Sequence, residues 1–549
     1  MRSGSISAHR HRRTVVAASA ATIAAALITA AATTGSAGAA PATGAKTGSL
    51  SVQLSASQRA ELLRTANATT ADTAKSLRLG GKEQLVVRDV IKDADGTTHT
   101  RYERTYEGLP VLGGDLVVER SASGETTDVT KATNAAIKVA DTKASVAPAG
   151  AEQKALGIAK ASGGKKADTD GTPRKVIWAA TGKPVLAYET VIGGFQKDGT
   201  PSQLHVITDA DTGKKLYERQ AIETGTGNSQ YSGKVTVGSV KSGSTWLLKD
   251  TARGGHMTYN LKHAEDGKGS KFTDADNVWG NGKTTIAQTA AVDAHYGAAK
   301  TWDYYKNVLG RNGIRNNGKA AYSRVHFGNA YVNAFWDDDC FCMTYGDGEG
   351  NKRPLTSLDV AGHEMSHGLT SATANLEYSG ESGGLNEATS DIFGTAVEFY
   401  SKNAKDVGDY LIGEKINING DGTPLRYMDQ PSKDGYSYDY WKSGMGEDDP
   451  HFTSGPANHF FYLLSEGSGT KVINGVTYNS PTVDGKKVTG IGRAKAEKIW
   501  YKALTSYMTS TTNYAQARTA TLKAAKALYG GTSAEYKAVN AAWAGINVK

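Results

Sequence analysis

Apolar positions in the first part of the chain follow helical and then strand spacing. LSASQRAELLRTANATTADTAKSLRL, residues 54–79, has apolar residues at helical intervals. In EQLVVRDVIKDADGTTHTRYERTYEGLPVLGGDLVVER, apolar and polar residues alternate around D-G and G-G turns, as in hairpins. A helical AEQKALGIAKA and two further strand patterns, KPVLAYETVI and SQLHVITDADTGKKLYERQ, complete a mixed unit over residues 40–224.

The second half of the chain has a different pattern. IETGTGNSQYSG, residues 222–233, predicts an exposed boundary. Beyond it, Tyr-, Asn- and Gly-rich sequence predicts short strands as far as about Leu358, and helical patterns then continue to the end. The sequence therefore predicts an α+β protein whose second half is a strand-rich lobe followed by a helix-rich lobe, with HEMSH at their junction.

Composition and charge exclude several classes of protein. At 549 residues the chain is too long for one compact core, and 21% charged residues argue against a multispanning membrane protein. The net charge of +8 is scattered rather than gathered in blocks, which argues against nucleic-acid binding.

The first residues have the pattern of an export signal. A basic MRSGSISAHRHRRT, an alanine-rich apolar run and small residues near position 39 predict a secretory signal peptide at 1–39, with an uncleaved anchor as the alternative. The expected location is extracellular, with no membrane contact after processing.

Only two cysteines occur, Cys340 and Cys342, in the order C-F-C. A disulfide between them would be strained on an extended segment, because the Cα separation there is near the upper limit. Metal binding by two thiolates is the other possibility, although no second cysteine pair completes such a site.

The segment HEMSH, residues 363–367, has the spacing of a metal site. On a helix His363 and His367 lie on one face and can reach the same ion. Neutral imidazoles suit Zn²⁺, and Glu364 can take a proton from water there. The alternative is two surface histidines on an amphipathic helix.

A third ligand is expected in SGGLNEATSDIFGTAVEFY, where Gly383 and Gly384 are predicted to close a turn before a helix. Glu387 is the candidate ligand. Asp391, one turn on, is placed to accept the N–H of a ligating histidine. The alternative for these two acids is a solvated helix face.

A second cation site follows from helix geometry. Glu398 lies eleven residues beyond Glu387, about 16 Å along the helix. If the two helices are antiparallel, Glu398 approaches Asp359, and Asp409 and Glu414 can add oxygen ligands for a hard cation such as Ca²⁺. The alternative is a set of ion pairs with nearby lysines.

These motifs together resemble the thermolysin (M4) family of secreted zinc endopeptidases. HExxH is followed, twenty residues after the second histidine, by the glutamate of GGLNEATSD, and the resemblance extends over residues 225–549. It implies a two-lobed catalytic domain: an N-terminal lobe with the zinc helix at 225–375 and a helical C-terminal lobe at 376–549.

The resemblance also implies roles by position. For one Zn²⁺ the implied ligands are His363, His367 and Glu387. The implied catalytic residues are Glu364 as general base, Tyr378 and His451 at the oxyanion, and Asp391 behind the zinc site. The implied substrate-binding residues are Asn333 and Ala334 on an edge strand, Arg426 at the substrate carbonyl, and Val360, Ile412 and Leu425 around a pocket for a bulky hydrophobic residue after the cleaved bond. The implied ligands of a single structural Ca²⁺ are Asp359, Glu398, Asp409, the carbonyl of Leu411, and Glu414.

The chain departs from the family pattern at three places. EDDPH replaces the residues before the histidine, so either Asp448 or Asp449 could orient His451. Leu411 and Lys415 stand where acids of a double calcium site are expected, which favours one calcium over two. A DDDCFC insertion follows Trp336 and has no counterpart in the motif.

The N-terminal unit at 40–224 resembles the propeptide of that family. Residues 75–124 resemble the fungalysin/thermolysin propeptide motif, and residues 147–220 resemble a PepSY module. The resemblance implies a self-inhibited zymogen, with its propeptide as folding aid and inhibitor, cleaved near 222–227 to give a mature chain starting near Thr226.

The expected protein is thus a secreted, monomeric zinc endopeptidase that acts on proteins or peptides. Two alternatives remain open. One is an inactive secreted relative that only binds zinc and calcium and adheres to polymers. The other is a metal-dependent hydrolase of non-peptide bonds.

Overall fold

A computed structural model of the chain describes residues 52, 54–197, 201–222 and 224–549. The predicted signal peptide at 1–39 lies outside these residues. Among the described residues, no helix combines the length and the apolar character needed to cross a bilayer.

The N-terminal unit combines helices with one long sheet. Its helices are α1 Ala56–Ala68, α2 Thr70–Ser76 and α3 Pro148–Ala161, and its strands are β1 Glu83–Lys92, β2 Thr98–Tyr106, β3 Leu109–Leu112, β4 Leu116–Arg120, β5 Thr126–Lys131, β6 Arg174–Trp178, β7 Val185–Ile192, β8 Leu204–Asp209 and β9 Lys215–Gln220. The strand order is β5-β4-β2-β3-β6-β7-β8-β9, with β1 on β2. The predicted helices and hairpins of this unit are confirmed.

The strand-rich lobe follows. Its strands are β10 Thr224–Asn228, β11 Lys234–Gly238, β12 Val240–Ser242, β13 Thr245–Leu247, β14 Lys249–Asp250, β15 His256–Asn260, β16 Ser270–Lys271, β17 Thr273–Asp274, β18 Val278–Trp279, β19 Tyr322–Phe327, β20 Ala334–Asp337 and β21 Cys342–Gly346. The helices in this part are α4 Gln288–Val308 and α5 Leu358–Ser371. In the sheet β14-β15-β19-β21-β20, strand β20 lies at the edge.

The helix-rich lobe completes the chain. Its helices are α6 Gly380–Ser401, α7 Pro450–Thr453, α8 Gly455–Glu466, α9 Arg493–Ser506, α10 Tyr514–Tyr529 and α11 Ala534–Gly545. Its strands are β22 Leu411–Ile412, β23 Arg426–Tyr427, β24 Gly469–Ile473 and β25 Val476–Ser480. One continuous core of buried side chains extends from Tyr231 to Val548, so the two lobes share their hydrophobic interior.

Helix α4 was not predicted. The sequence predicts short strands throughout the segment that contains it, Gln288–Val308. The helix buries polar side chains, which removes the apolar stripe that periodicity detects. Asp303 accepts two hydrogen bonds from Arg253, at 2.8 Å each, and His295 Nε2 lies 3.1 Å from the carbonyl oxygen of Gly238. These partners offset the cost of burial, so a helix with polar residues on every side lies in the core.

Helices α5 and α6 pack unusually closely. A Cβ on Gly362 would lie 3.0 Å from Cα of Gly394, and a Cβ on Gly394 would lie 2.5 Å from the carbonyl oxygen of Asp359. Two glycines therefore permit a contact that side chains would prevent. Asp359 lies near Gly394 while His367 faces Glu387, so the helices are antiparallel, and Glu398 is carried toward the start of α5.

The predicted turn at Gly383 and Gly384 is wrong. Both residues lie inside α6, which begins at Gly380. A Cβ on Gly384 would lie 2.6 Å from the carbonyl oxygen of Thr453, so close packing rather than a turn requires glycine there.

The two cysteines are joined in a disulfide with a Cα–Cα distance of 5.3 Å. The expectation of strain assumed an extended segment. The segment is instead a turn between β20 and β21, in which Phe341 has a φ of 53°. The turn brings the two Cα atoms within the usual range for a disulfide.

The sequence predicts an exposed boundary at 222–233. This prediction is wrong from Thr224 onward, where the chain forms a paired strand. Strand β10 pairs with β11 on one side and with β18 on the other. Gly227 is buried, and a Cβ there would lie 2.6 Å from a methyl group of Val292. A mature chain starting at Thr226 would lose part of this central strand.

We therefore expect the processed protein to start at or before Thr224, because cleavage inside β10 would break its pairing with β11 and β18. N-terminal sequencing and intact mass of the processed protein measure the start directly. A first residue at Thr226 or later would contradict the prediction.

Candidate active site

A cavity of about 660 Å³ lies between the edge strand β20 and helices α5 and α6. Its walls contain most of the residues singled out from the sequence. These are Asn333, Ala334, Val360, His363, Glu364, His367, Tyr378, Glu387, Leu425, Arg426 and His451.

Three acceptors converge in this cavity: His363 and Glu387 are buried, and His367 is partly buried. His363 Nδ1 lies 2.8 Å from Asp391 Oδ1, and His367 Nδ1 lies 2.7 Å from Asn386 Oδ1. Each Nδ1 donates its proton to an oxygen, so each neutral ring presents a lone pair on Nε2. The two Nε2 atoms are 3.0 Å apart, and the Glu387 carboxylate lies 3.4 Å from one and 3.5 Å from the other.

This donor set suits zinc. Two imidazole nitrogens and one carboxylate are the ligands of many catalytic zinc sites, which leave a fourth position open. Glu387 is 1% exposed, and its Oε2 has no hydrogen-bond partner among the described residues. Such an atom is costly to bury unless a cation faces it.

The pKa values of the two imidazole rings also fit a site for a single cation. Although burial opposes its protonation, the neighbouring carboxylates of Asp391 and Glu387 raise the pKa of His363 to about 10. Burial lowers the pKa of His367 to about 4. The facing nitrogens can therefore share one positive charge but not carry two.

Asp391 holds His363 and is itself held by two further residues. Arg426 donates to both of its oxygens, at 2.8 and 2.6 Å, and Asn458 Nδ2 donates at 2.8 Å. Although burial opposes ionisation, Arg426 and His363 lower the pKa of Asp391 well below its usual range. Asp391 therefore positions a ring through a fixed carboxylate, as expected. Arg426 also lines the cavity, but two of its nitrogens already bind Asp391.

Glu364 lies beside the three acceptors. It is 5% exposed, and its Oε2 has no hydrogen-bond partner within the described chain. Burial raises the pKa of its carboxyl to about 7. A carboxylate of this kind can exchange protons near neutral pH.

Tyr378 and His451 lie on the other side of Glu387. The Tyr378 hydroxyl donates to Glu387 Oε1 and lies 3.4 Å from His451 Nε2. His451 Nδ1 lies 2.7 Å from Asp449 Oδ1. Asp448 instead accepts from the hydroxyl of Tyr438, at 2.5 Å. Of the two candidate acids, Asp449 is the one in contact with the ring.

The residues predicted to bind substrate line the cavity, with the exception of Ile412. Strand β20 lies at a sheet edge, where its backbone can pair with an added strand. Ile412 is 1% exposed and lies outside the cavity wall, because its backbone pairs with Arg426 and its side chain joins the core. Leu355 and Ile418, not singled out from the sequence, join Val360 and Leu425 in the apolar part of the wall.

A second group of acids lies at the far end of the α5–α6 pair. Oxygens of Glu398, Asp406 and Glu414 converge within 4.8 Å of one another. Asp406 and Glu398 are fully buried, and both oxygens of Asp406 lack a hydrogen-bond partner among the described residues. Buried carboxylate oxygens at this spacing suit a hard cation such as Ca²⁺.

The pKa shifts in this group reflect crowding of like charges. Burial and neighbouring acids raise the pKa of Asp406 to about 7, of Asp409 to about 6 and of Glu414 to about 10. A cation between them would remove that penalty.

Two acids predicted for the calcium site lie beside it. Asp359 accepts from Ser357 Oγ and from the Gly413 amide, both at 2.5 Å. Asp409 accepts from the amide of Leu411 at 2.7 Å. The ligand role of the Leu411 carbonyl stays a prediction.

Comparison with known proteins agrees with this arrangement. The family model described as "Thermolysin metallopeptidase, catalytic domain" matches residues 224–371, and "Thermolysin metallopeptidase, alpha-helical domain" matches residues 374–548. The "Fungalysin/Thermolysin Propeptide Motif" matches residues 83–133, somewhat later than the predicted 75–124.

Individual relatives are consistent with these matches. A transglutaminase-activating metalloprotease of Streptomyces mobaraensis is 66% identical over 90% of this chain, and the match spans 65% of that relative's length. A thermolysin of Alicyclobacillus acidocaldarius subsp. acidocaldarius is 36% identical over 86% of this chain and 88% of its own. Among solved structures, the precursor of protealysin from Serratia proteamaculans aligns over 54% of this chain and 87% of its own, with 26% identity and a TM-score of 0.40.

The chain belongs to the thermolysin family of metallopeptidases.

Several residues of this thermolysin-family site were not found from the sequence. Asn386 was passed over as the neighbour of Glu387, although an amide beside a ligand is a common partner for a histidine. Arg426 was predicted at the substrate carbonyl, but its contact with Asp391 was not, and Asn458 was not singled out at all. Both residues come from segments far along the chain, and no local spacing relates them to Asp391. Asp406 lies between Glu398 and Asp409, and only the fold of that loop shows that its side chain points inward.

Changing Asp449 to Asn should lower kcat/KM on a peptide substrate by about tenfold, because the amide binds the His451 ring less strongly than the carboxylate does. Asp448→Asn is the matched control and should retain most of the activity, since its partner is Tyr438. Equal losses in the two variants would contradict the assignment.

Changing Asp406 to Asn should reduce the stabilisation that Ca²⁺ gives. At a hundredfold excess over Kd the ion adds about 2.7 kcal/mol to the free energy of unfolding, so Tm should rise by several degrees with the parent protein and less with the variant. The exposed Asp484→Asn serves as control. A calcium-induced shift of the same size in D406N would exclude Asp406 as a ligand.

Proposed function

We propose that this chain is the precursor of a secreted zinc endopeptidase, which hydrolyses peptide bonds of proteins on the N-terminal side of bulky hydrophobic residues. The observation that carries the proposal is the convergence of two histidine nitrogens and one carboxylate beside the buried carboxyl group of Glu364, whose Oε2 has no hydrogen-bond partner among the described residues. His363, His367 and Glu387 are the proposed ligands of one Zn²⁺.

The chemistry divides among the residues of the cavity. Zinc, when bound, supplies a Lewis acid that polarises the scissile carbonyl and makes water more acidic. Glu364 takes a proton from the attacking water and passes it to the leaving nitrogen. The Tyr378 hydroxyl and His451 Nε2 donate hydrogen bonds to the oxygen that becomes negative.

Substrate binding is proposed from the cavity walls. The backbone of Asn333 and Ala334 would pair with the peptide as an added strand. Val360 and Leu425 give the wall its apolar character, which supports a preference for a large hydrophobic residue just after the cleaved bond.

The N-terminal unit is proposed to be the propeptide that assists folding and inhibits the enzyme, and the family match to the propeptide motif supports this role. The single calcium proposed from the sequence gains support from Lys415, whose Nζ lies 3.9 Å from Asp406 and supplies a positive charge there. Because one relative is named for activating a transglutaminase, an inactive proenzyme is a substrate class worth testing.

Changing Glu364 to Gln should lower kcat/KM for casein or a quenched-fluorescent peptide by about 10²- to 10⁴-fold, since the proton acceptor is lost. Zinc content by atomic absorption and Tm should stay close to those of the parent, because the substitution preserves size and leaves the three ligands intact. A zinc chelator should abolish the parent activity, and added Zn²⁺ should restore it. Full activity in E364Q would exclude Glu364 as the base, and chelator-resistant cleavage would exclude a zinc enzyme.

A further inference from the structure

The turn between β20 and β21, residues 337–342 with the sequence DDDCFC, forms one rim of the active-site cavity. Asp338 lines the cavity together with Trp336, while Asp339 does not. Neither the proposed metal centre nor the proposed mechanism uses a residue of this rim.

The rim is held rigidly. The Cys340–Cys342 disulfide closes the turn around Phe341, whose ring meets Trp336 edge-on at a centroid distance of 5.1 Å. Trp336 packs over Gly368 of α5, where a Cβ would lie 2.8 Å from the indole. The hairpin is thereby fixed against the helix that carries the histidines.

The Asp338 carboxylate is fixed in the same way. Trp336 Nε1 donates to its Oδ1 at 2.7 Å, and Ser371 Oγ donates to its Oδ2 at 2.9 Å. Both donors are neutral, so they orient the carboxylate without cancelling its charge. In the described part of the chain no ion pair involves Asp338, whereas Asp337 lies 3.8 Å from Arg324. Arg315 stacks on Phe341, with its guanidinium carbon 3.9 Å from the ring centre.

The position of Asp338 along the cavity follows from α5. Val360, in the apolar wall, and Ser371, bound to Asp338, are eleven residues apart, about 16 Å along the helix. The two histidines lie between them. The residue after the cleaved bond is assigned to the Val360 end, so the residues before that bond extend toward Asp338.

The distance along α5 between the two histidines and Ser371 determines which substrate residue faces the Asp338 carboxylate. From the middle of the two histidines to Ser371 is about 9 Å of helix, which an extended peptide covers in about three residues at 3.3 Å each. The side chain facing Asp338 therefore belongs to the second or third residue before the cleaved bond.

We propose that Asp338 is a specificity-determining residue, which gives the enzyme a preference for Lys or Arg two or three positions before the scissile bond. The inference rests on the proposed endopeptidase function. It adds a preference for a basic residue before the cleaved bond to the preference for a hydrophobic residue after it. A long cationic side chain reaches a carboxylate held at the rim, while an acidic one is repelled.

The test uses active enzyme obtained from the full chain and three sets of quenched-fluorescent peptides. All carry Leu after the cleaved bond and differ only in having Lys, Gln or Glu at the second or third preceding position. The parent should cleave the better Lys peptide with a kcat/KM about fivefold above that of the Gln peptide. The ratio should fall toward one at about 0.5 M NaCl, because an exposed ion pair is screened.

The variant Asp338→Asn should reduce the Lys-to-Gln ratio to about one. Asp339→Asn removes the same charge from the same turn and should keep the parent ratio. A parent ratio near one with efficient cleavage of the Gln peptides, or an equal loss of the ratio in both variants, would overturn the inference while leaving the endopeptidase proposal standing. Failure to cleave any peptide would refute the endopeptidase proposal, and this inference with it.

Discussion

The close approach of α5 and α6 is the constraint on which the site depends. Gly362 and Gly394 let the two helix backbones meet at a separation that a side chain would prevent. At that separation Glu387 reaches both imidazoles and Asp391 reaches His363. A wider spacing would leave two histidines on one helix and two unconnected acids on another, with no common point for an ion.

The same helix pair also defines the second cation site. Because α5 and α6 are antiparallel, the end of α6 that carries Glu398 lies beside the start of α5. The loop after α6 then brings in Asp406 and Glu414. The packing of α5 against α6 thus brings carboxylates together at two places. Each place has buried oxygens that lack hydrogen-bond partners within the described residues. Buried carboxylates of this kind are costly unless a cation compensates them, so the stability of this half of the chain is expected to depend on its ions.

Local spacing in the sequence is sufficient to predict the residues of the HEMSH motif and the two acids that face it. His363, Glu364 and His367 follow from i, i+4 geometry, and Glu387 and Asp391 lie on one helix within reach of that motif. The amphipathic helices and hairpins of the N-terminal unit were also recognisable, since one face of each meets a core. Helix α4 was missed because its buried positions include Asp293, His295 and Asp303, whose partners come from distant segments. Asn458 and the inward orientation of Asp406 depend on the completed fold for the same reason.

The role proposed for Asp338 gives a physical reason why a chain could keep a family's chemistry and differ in the substrates that it prefers. The residues proposed to hold the ion and to move protons are joined by mutual contacts in the α5–α6 interface, so a change in any of them disturbs several others. The β20–β21 turn meets α5 through the hydrogen bond from Ser371 to Asp338 and through Phe341, which packs on the Trp336 ring that covers Gly368. The Cys340–Cys342 disulfide closes the turn itself. Charge can therefore be placed in the turn without altering the metal centre. A hairpin attached to an edge strand is a suitable place for such a change, because a peptide that paired with β20 would pass the turn beside the proposed metal site.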